Sequence, residues 1–301
     1  MAMERCNHPT KLPNGAMAGP PCRKMIRIGA VSCGEVNHII PTSRWNTIRD
    51  SLAARNHIEG GSFSMEEIIF GMDAIKQARE LEIDPEPTLS EAYDQSNVEG
   101  STNDWCLSRT ETIEAADVVI IREPHGMKGP GEVEVLLIRR GNPPFMNDWA
   151  LPGGMRDEGE SLQETAQREM GEEVNLHFVL PSGTWLGEEQ STLWDPRFTS
   201  THVGAMLYKV PDGVRPIPGD DAIHVEWVRL EDIANGSKSL AFGHAEWIHR
   251  GVDAVGDNSF LSRDLSRRLG VVRDLAKIRN RRLVEKVNSI RKDKNSPLIP
   301  V

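Results

Sequence analysis

The chain lacks an apolar run near the roughly 18 residues that a membrane-spanning helix requires. Its best runs, Val118–Ile121 and Val135–Ile138, have the length of strands. No apolar stretch of the secretory type opens it. Four cysteines in 301 residues are too few for a disulfide scaffold. No repeat recurs at solenoid spacing. These absences predict a soluble, cytoplasmic chain of one large or two smaller domains. A basic excess is lacking too: 45 acids face 35 bases, for a net charge of −10. That balance disfavours a general nucleic-acid binder, which needs clustered Lys and Arg to neutralise phosphates. The charge is uneven, however. Residues 251–301 hold 12 Lys/Arg against 6 Asp/Glu, so the acidity is concentrated in the first 250 residues.

Texture divides the chain into four parts. Residues 1–40 read as irregular, with three Cys and several Pro and Gly. Residues 41–112 read as a helical region followed by a linker. Ser64 and Glu67 have capping-box spacing, and Met65, Ile68, Ile69, Met72, Ile75 and Ala78 share one helical stripe. Pro85 and Pro87 end that pattern, and residues 94–112 are polar with turn-forming residues. Residues 113–250 alternate β-rich runs at 117–121, 133–139, 202–210 and 222–229 with a strong helix at 161–174, the pattern of α/β layering. Residues 251–301 read as a basic amphipathic helix and tail, with a stripe from Leu261 through Leu265, Leu269, Val272, Leu275, Ile278 and Leu283 to Val287.

The chemistry concentrates in Leu151–Leu176, LPGGMRDEGESLQETAQREMGEEVNL. Pro152-Gly153-Gly154 predicts a tight loop with close backbone approach. In the helix that follows, at about 100° per residue, Leu162, Ala166, Met170 and Val174 form the apolar face. Glu169, Glu172 and Glu173 share an arc of about 100° beside it. Like charges three and four residues apart repel, and a carboxylate at the edge of a buried stripe costs more still. A solvated acidic face is the structural alternative. A hard divalent cation removes the conflict, because Mg²⁺ and Mn²⁺ prefer carboxylate and water oxygens. Arg168 is placed to pair with Glu160 or with Glu169.

These residues resemble the signature of the Nudix hydrolases, G-x5-E-x7-R-E-U-x-E-E-x-G-U, where U is aliphatic. Gly154, Glu160, Arg168, Glu169, Met170, Glu172, Glu173 and Leu176 match in register, and Asn175 stands where the family has Gly. Asn tolerates positive φ better than most residues, so this is a mild departure. Leu136–Phe145, Trp149–Gly154, Gly219-Asp220-Asp221-Ala222 and Leu240–Glu246 resemble the ADP-ribose pyrophosphatase-like branch of that family. The resemblance covers about residues 115–250.

The resemblance implies an α/β/α sandwich with a mixed sheet, preceded by a mostly helical region and followed by a C-terminal helix. It implies Mg²⁺ or Mn²⁺ bound by Glu169, Glu172, Glu173 and the Gly154 carbonyl, with Arg168 orienting Glu169 and Glu160 holding Arg168. The implied activity is hydrolysis of a nucleoside diphosphate derivative, ADP-ribose first, to AMP and ribose 5-phosphate. A nucleoside triphosphate, NADH or a nucleotide sugar is the alternative substrate, and a non-catalytic ADP-ribose-sensing regulator is the alternative class. Glu173, Asp220, Asp221 and Glu246 are candidates for the general base. Arg139 and Arg140 suit phosphate. Phe145 and Trp149 are candidates to stack a base, or alternatively core aromatics.

Two flanking features remain. Cys6, Cys22, Cys33 and His38 are ligand types for a structural Zn²⁺, although their spacings fit no standard finger; free thiols are the alternative. The basic terminal helix has four readings: packing on the preceding domain, homodimerisation through its apolar stripe, nucleic-acid contact, or a solvated basic face.

Overall fold

The computed structural model describes residues 3–5, 25–27, 65–89, 112–126, 129, 132–176, 183–219, 222–255, 263–294 and 297–299. The proposed zinc ligands Cys6, Cys22, Cys33 and His38 lie outside these residues, as do Ser64, Asp220, Asp221 and nearly all of the expected linker. Where the N-terminal segment is described, it is not irregular. Strands β1 (Met3–Arg5) and β2 (Met25–Arg27) pair antiparallel.

In helix α1 (Met65–Glu80), Ile75 and Ala78 of the predicted stripe are buried, and so is Ala74; the side chains of its other members lie outside the described residues. A single helical turn, α2 (Glu86–Leu89), follows. It includes Pro87, because a proline in the first turn gives up only an N–H that would lack an intrahelical partner.

The centre of the molecule is a mixed seven-stranded sheet. Its strands are β3 (Thr112–Arg122), β4 (Glu134–Arg140), β5 (Trp149–Ala150), β6 (Gly153–Met155), β7 (Thr184–Ser191), β8 (Ser200–Val210) and β9 (Ala222–Arg229). Strands β3 and β8 run parallel over eleven positions, from Thr112 opposite Ser200 to Arg122 opposite Val210. The other pairs are antiparallel. Ala116–Ile121 and Val135–Ile138 are buried residue after residue, as expected of central strands covered on both faces.

The second edge of β3 is divided. Ile121 and Arg122 pair with β4, while Ala115, Ala116 and Asp117 pair with β6. The Leu151–Gly154 turn enters at this fork, and Val118 donates its N–H to the Pro152 carbonyl at 2.8 Å. Helix α3 (Leu162–Val174) packs over the same place, against β3, β6 and β8.

Three further helices complete the described chain: α4 (Leu230–Ala234), α5 (His244–Val255) and α6 (Arg263–Asp293). The boundary expected at residue 250 falls inside α5, whose buried face continues through Val252 and Val255. Helix α6 lays Leu265, Leu269, Val272, Leu275 and Leu283 into the same core as the sheet, against α1, α2, α4 and α5. Of the four readings of this helix, packing on the preceding domain is the one observed. Its apolar stripe is therefore covered by the chain itself, and self-association needs another surface. Nor is its basic face wholly solvated, since Arg279, Arg282 and Arg291 are buried. No described helix is long and apolar enough to cross a membrane.

Candidate active site

Helix α3 begins at Ser161, whose hydroxyl accepts from the Glu164 N–H while the Glu164 carboxylate accepts from the Ser161 N–H at 2.7 Å. This capping box fixes where the helix starts, and so which way its carboxylates point. The helix ends at Asn175, in the left-handed region at φ 55°, as the Asn-for-Gly reading requires. Asn175 and Leu176 donate back to the Gly171 and Met170 carbonyls.

The wheel reading of the carboxylates holds. Glu169 and Glu173 are buried beside the apolar face, and Glu172 is exposed. Arg168 gathers its neighbours. Its Nε donates to Glu160 at 2.9 Å, and one terminal nitrogen donates to Glu169 at 2.8 Å and Glu172 at 2.9 Å. The other terminal nitrogen donates to the Met155 carbonyl at 2.9 Å and again to Glu160 at 3.2 Å. The two pairings left open by the sequence therefore coexist.

Hydrogen bonds from Arg168, the Asp157 N–H and Thr165 hold the Glu160 carboxyl down at about 2. Burial pushes Glu169 the other way, above the usual carboxylate range, and outweighs the Arg168 contact. Glu160 is thus a fixed anion that anchors Arg168, whereas the charge on Glu169 is uncompensated enough to favour a cation nearby.

The glycine loop meets these groups at close range. A Cβ on Gly154 would lie 2.3–2.7 Å from the Glu169 carboxylate, so only glycine brings backbone this near. Gly153 donates its N–H to Glu173 at 2.9 Å. Behind α3, a Cβ on Gly219 would strike the Glu172 carbonyl, and the Gly219 N–H donates to the Glu173 carbonyl at 2.9 Å. Among the described residues, no three His, Cys, Asp or Glu side chains converge as a metal cluster. The oxygens of Glu169, Glu172, Glu173 and the glycine loop nevertheless suit a hard cation in kind and in neighbourhood.

The outer candidates fare differently. Arg139 is exposed, 6.0 Å over the Trp149 ring, and donates to the Asn147 carbonyl at 3.2 Å. Arg140 donates to the Pro144 carbonyl at 3.1 Å and lies 4.6 Å over Phe242, so it braces its own loop. Phe145 is fully enclosed, edge-on to Phe242 at 4.8 Å, and has no exposed face for a base. It is core, because the turn after β4 folds it inward. Glu246 is buried among Arg250 at 2.8 Å, Lys277 at 3.1 Å and Arg273 at 3.6 Å. These cations overcome its burial and lower its carboxyl, so it ties α5 to α6 and is not poised as a base.

Sequence reasoning passed over His244, Asp117 and Arg156. His244 Nδ1 accepts the Leu151 N–H at 2.9 Å, and its Nε2 lies 3.5 Å from Asp117. Arg156 joins Glu114 to the Glu160 carbonyl. His244 stood in a segment already singled out. Asp117 and Arg156 carried no signal beyond their proximity in the fold.

Fold and site together define a mixed-sheet α/β domain whose loop–helix–loop presents arginine-anchored carboxylates. Residues 112–251 match the NUDIX domain, the family to which this part of the chain is similar. The chain is 34% identical over 115 residues to an ADP-ribose pyrophosphatase of Methanocaldococcus jannaschii, a match covering 38% of this chain and 63% of that protein. It is 27% identical over 161 residues to a putative nudix hydrolase 6 of Caenorhabditis elegans, covering 47% and 55%. The chain thus spans between half and two thirds of the length of these curated relatives. A MutT/nudix family protein from Enterococcus faecalis superposes at a TM-score of 0.42 with 24% identity, over 60% of this chain and 80% of that one.

Proposed function

We propose that the chain is a divalent-metal-dependent pyrophosphohydrolase that cleaves ADP-ribose to AMP and ribose 5-phosphate. The observation that carries this reading is the Arg168 node, which holds Glu160, Glu169 and Glu172 against the glycine loop. The choice of ADP-ribose rests on the likeness to the archaeal ADP-ribose pyrophosphatase.

Glu169, Glu172, Glu173 and the Gly154 carbonyl would hold Mg²⁺ or Mn²⁺. Such an ion neutralises the diphosphate, polarises its P–O bonds and lowers the pKa of water. The chain's own groups supply position. Glu160 fixes Arg168, Arg168 fixes two carboxylates, and the Gly153 N–H fixes Glu173. Fixed charge placed where charge develops is worth more than mobile charge, because no reorganisation is needed. Water adds to one phosphorus, the bridging P–O bond breaks, and the bridging oxygen leaves with the other phosphate. Glu173, buried beside the loop, is the group assigned to take the proton from water. Arg139, exposed at the end of β4, is assigned to the second phosphate.

A panel of ADP-ribose, NADH, a nucleotide sugar and a nucleoside triphosphate, each with Mn²⁺, tests the reading by product analysis. AMP from ADP-ribose is expected to form fastest. Glu172→Gln and Glu173→Gln should each lower kcat by at least about a hundredfold. Unchanged turnover in both variants would overturn the mechanism.

A further inference from the structure

Arg279 lies on α6, outside the residues that match the NUDIX domain. It is fully buried, although a buried guanidinium is costly unless its donors are satisfied. The donors go to one short segment and its neighbour. Arg279 donates to the Leu240 carbonyl, to the Phe242 carbonyl at 2.9 Å and to Asn280 Oδ1 at 2.7 Å. Asn280 then donates to the same Phe242 carbonyl at 2.8 Å. The Arg279 cation also lies 4.8 Å over the Phe145 ring.

This grip falls on strained backbone. Phe242 and Phe145 have φ of 49° and 63°, in the left-handed region that bulky residues rarely adopt. Such conformations persist only where the surroundings over-determine them. Here the two rings meet edge-on at 4.8 Å, and Phe242 packs 5.3 Å from His244.

From this segment the contacts lead into the glycine loop. The Ser239 carbonyl accepts from the Trp149 N–H at 3.1 Å, and the Ala241 N–H donates to the Trp149 carbonyl at 2.7 Å. Three residues on, His244 Nδ1 accepts from the Leu151 N–H, which leaves Nε2 as the ring nitrogen facing Asp117. Asp117 is buried, its Oδ2 has no hydrogen-bond partner among the described residues, and it pairs with Gly153 across β3 and β6.

We propose that α6, through Arg279, holds the glycine loop of the active site in its working position, with His244 as the last link. Arg279 and His244 are positioning residues: neither carries charge into the carboxylate cluster, and both act on the backbone that presents Gly153 and Gly154. The inference rests on the reading of that loop as part of a pyrophosphohydrolase site. Its physical core, that α6 restrains residues 149–154, can be measured without substrate.

The test is hydrogen–deuterium exchange on the metal-free full chain, paired with Mn²⁺-dependent ADP-ribose kinetics. Arg279→Met and His244→Leu should speed exchange at residues 149–154 at least tenfold relative to strand β7. They should lower kcat by about tenfold to a hundredfold, with a smaller change in KM. His244→Gln restores an acceptor for the Leu151 N–H and should recover most of the protection and the rate. Arg279→Lys keeps the charge and one donor, and should fall between wild type and Arg279→Met, which covers the case that the latter fails to fold. Arg282→Met is the control. Arg282 is buried on the same helix but donates to the Leu89 carbonyl at 2.9 Å, away from the loop. Its loss should lower the melting temperature without selective exchange at 149–154. Exchange at 149–154 that rises no more than elsewhere, or equally in Arg282→Met, would overturn the proposal. A wild-type chain that leaves ADP-ribose intact yet shows the selective exchange would sink the proposed activity and leave the linkage standing.

Discussion

Arg168 binds two carboxyls whose pKa values are displaced in opposite directions, and the fold treats them differently. Glu160 is depressed from 4.5 to about 2. Its stabilising contribution is complete above about 4.5 and disappears as pH falls from there toward 2. Glu169 is raised by burial, so its ionised form works against the fold, and stability falls as pH rises past 4.5 through its raised value. Opposite outcomes follow for the metal-free protein at neutral pH. Glu160→Gln should lower the melting temperature and flatten the acid limb of the stability profile. Glu169→Gln should raise the melting temperature while removing activity, the usual sign of a group kept for function at the expense of stability. Melting curves from pH 3 to 8 check both, and a lower melting temperature for Glu169→Gln at pH 7 would contradict the account. At this scale much of the site was legible, because i,i+3 and i,i+4 spacing on one helix places Arg168, Glu169 and Glu172, and Glu160 stands eight residues before Arg168, just ahead of the helix cap. Phe145 was legible only as an aromatic near a strand end; the inward turn that buries it depends on Phe242, nearly a hundred residues away.

Helix α3 shows how an element delivers such groups. Its start is set by the Ser161–Glu164 box and its end by Asn175. Asn175→Val should cost about 1–2 kcal/mol, since a β-branched residue resists the left-handed conformation. Asn175→Gly should be neutral or slightly stabilising, and denaturant melts of the two variants give the comparison. Gly219→Ala should be worse than either, because its Cβ meets backbone that has no room to yield. Strands β3, β4 and β8 were readable from their apolar runs, since central strands bury both faces, whereas β9 was readable from its β-rich residues although only Ala222 and Val228 are buried. Strand β7 was not, because its TWLGEEQS sequence is largely polar and its residues are only partly buried at the sheet edge. Strands β5 and β6 are two and three residues long, too short for any period to register.

Across the whole molecule, the C-terminal helix is part of the domain it follows. Its stripe from Leu265 to Leu283 shares one hydrophobic core with the sheet, and Glu246 joins α5 to it through Lys277 and Arg273. Calorimetry should therefore show residues 112–294 unfolding in a single transition. A separate, lower transition belonging to α6 would show an independent appendage instead. Composition gave the wrong emphasis here, because a net positive tail looks solvated when only its charge is counted. The carboxylate helix, its glycine loop, the break at Asn175 and the central strands were set by the residues' own order, because each follows from spacing within a few turns or a few residues. Which of the tail's arginines are withdrawn from water, which aromatic is core, and how His244 and Asp117 come to flank the glycine loop were settled by the folded chain. Those outcomes depend on contacts between segments tens of residues apart, and one arginine among many on a basic helix carries no local mark of the carbonyls it will meet.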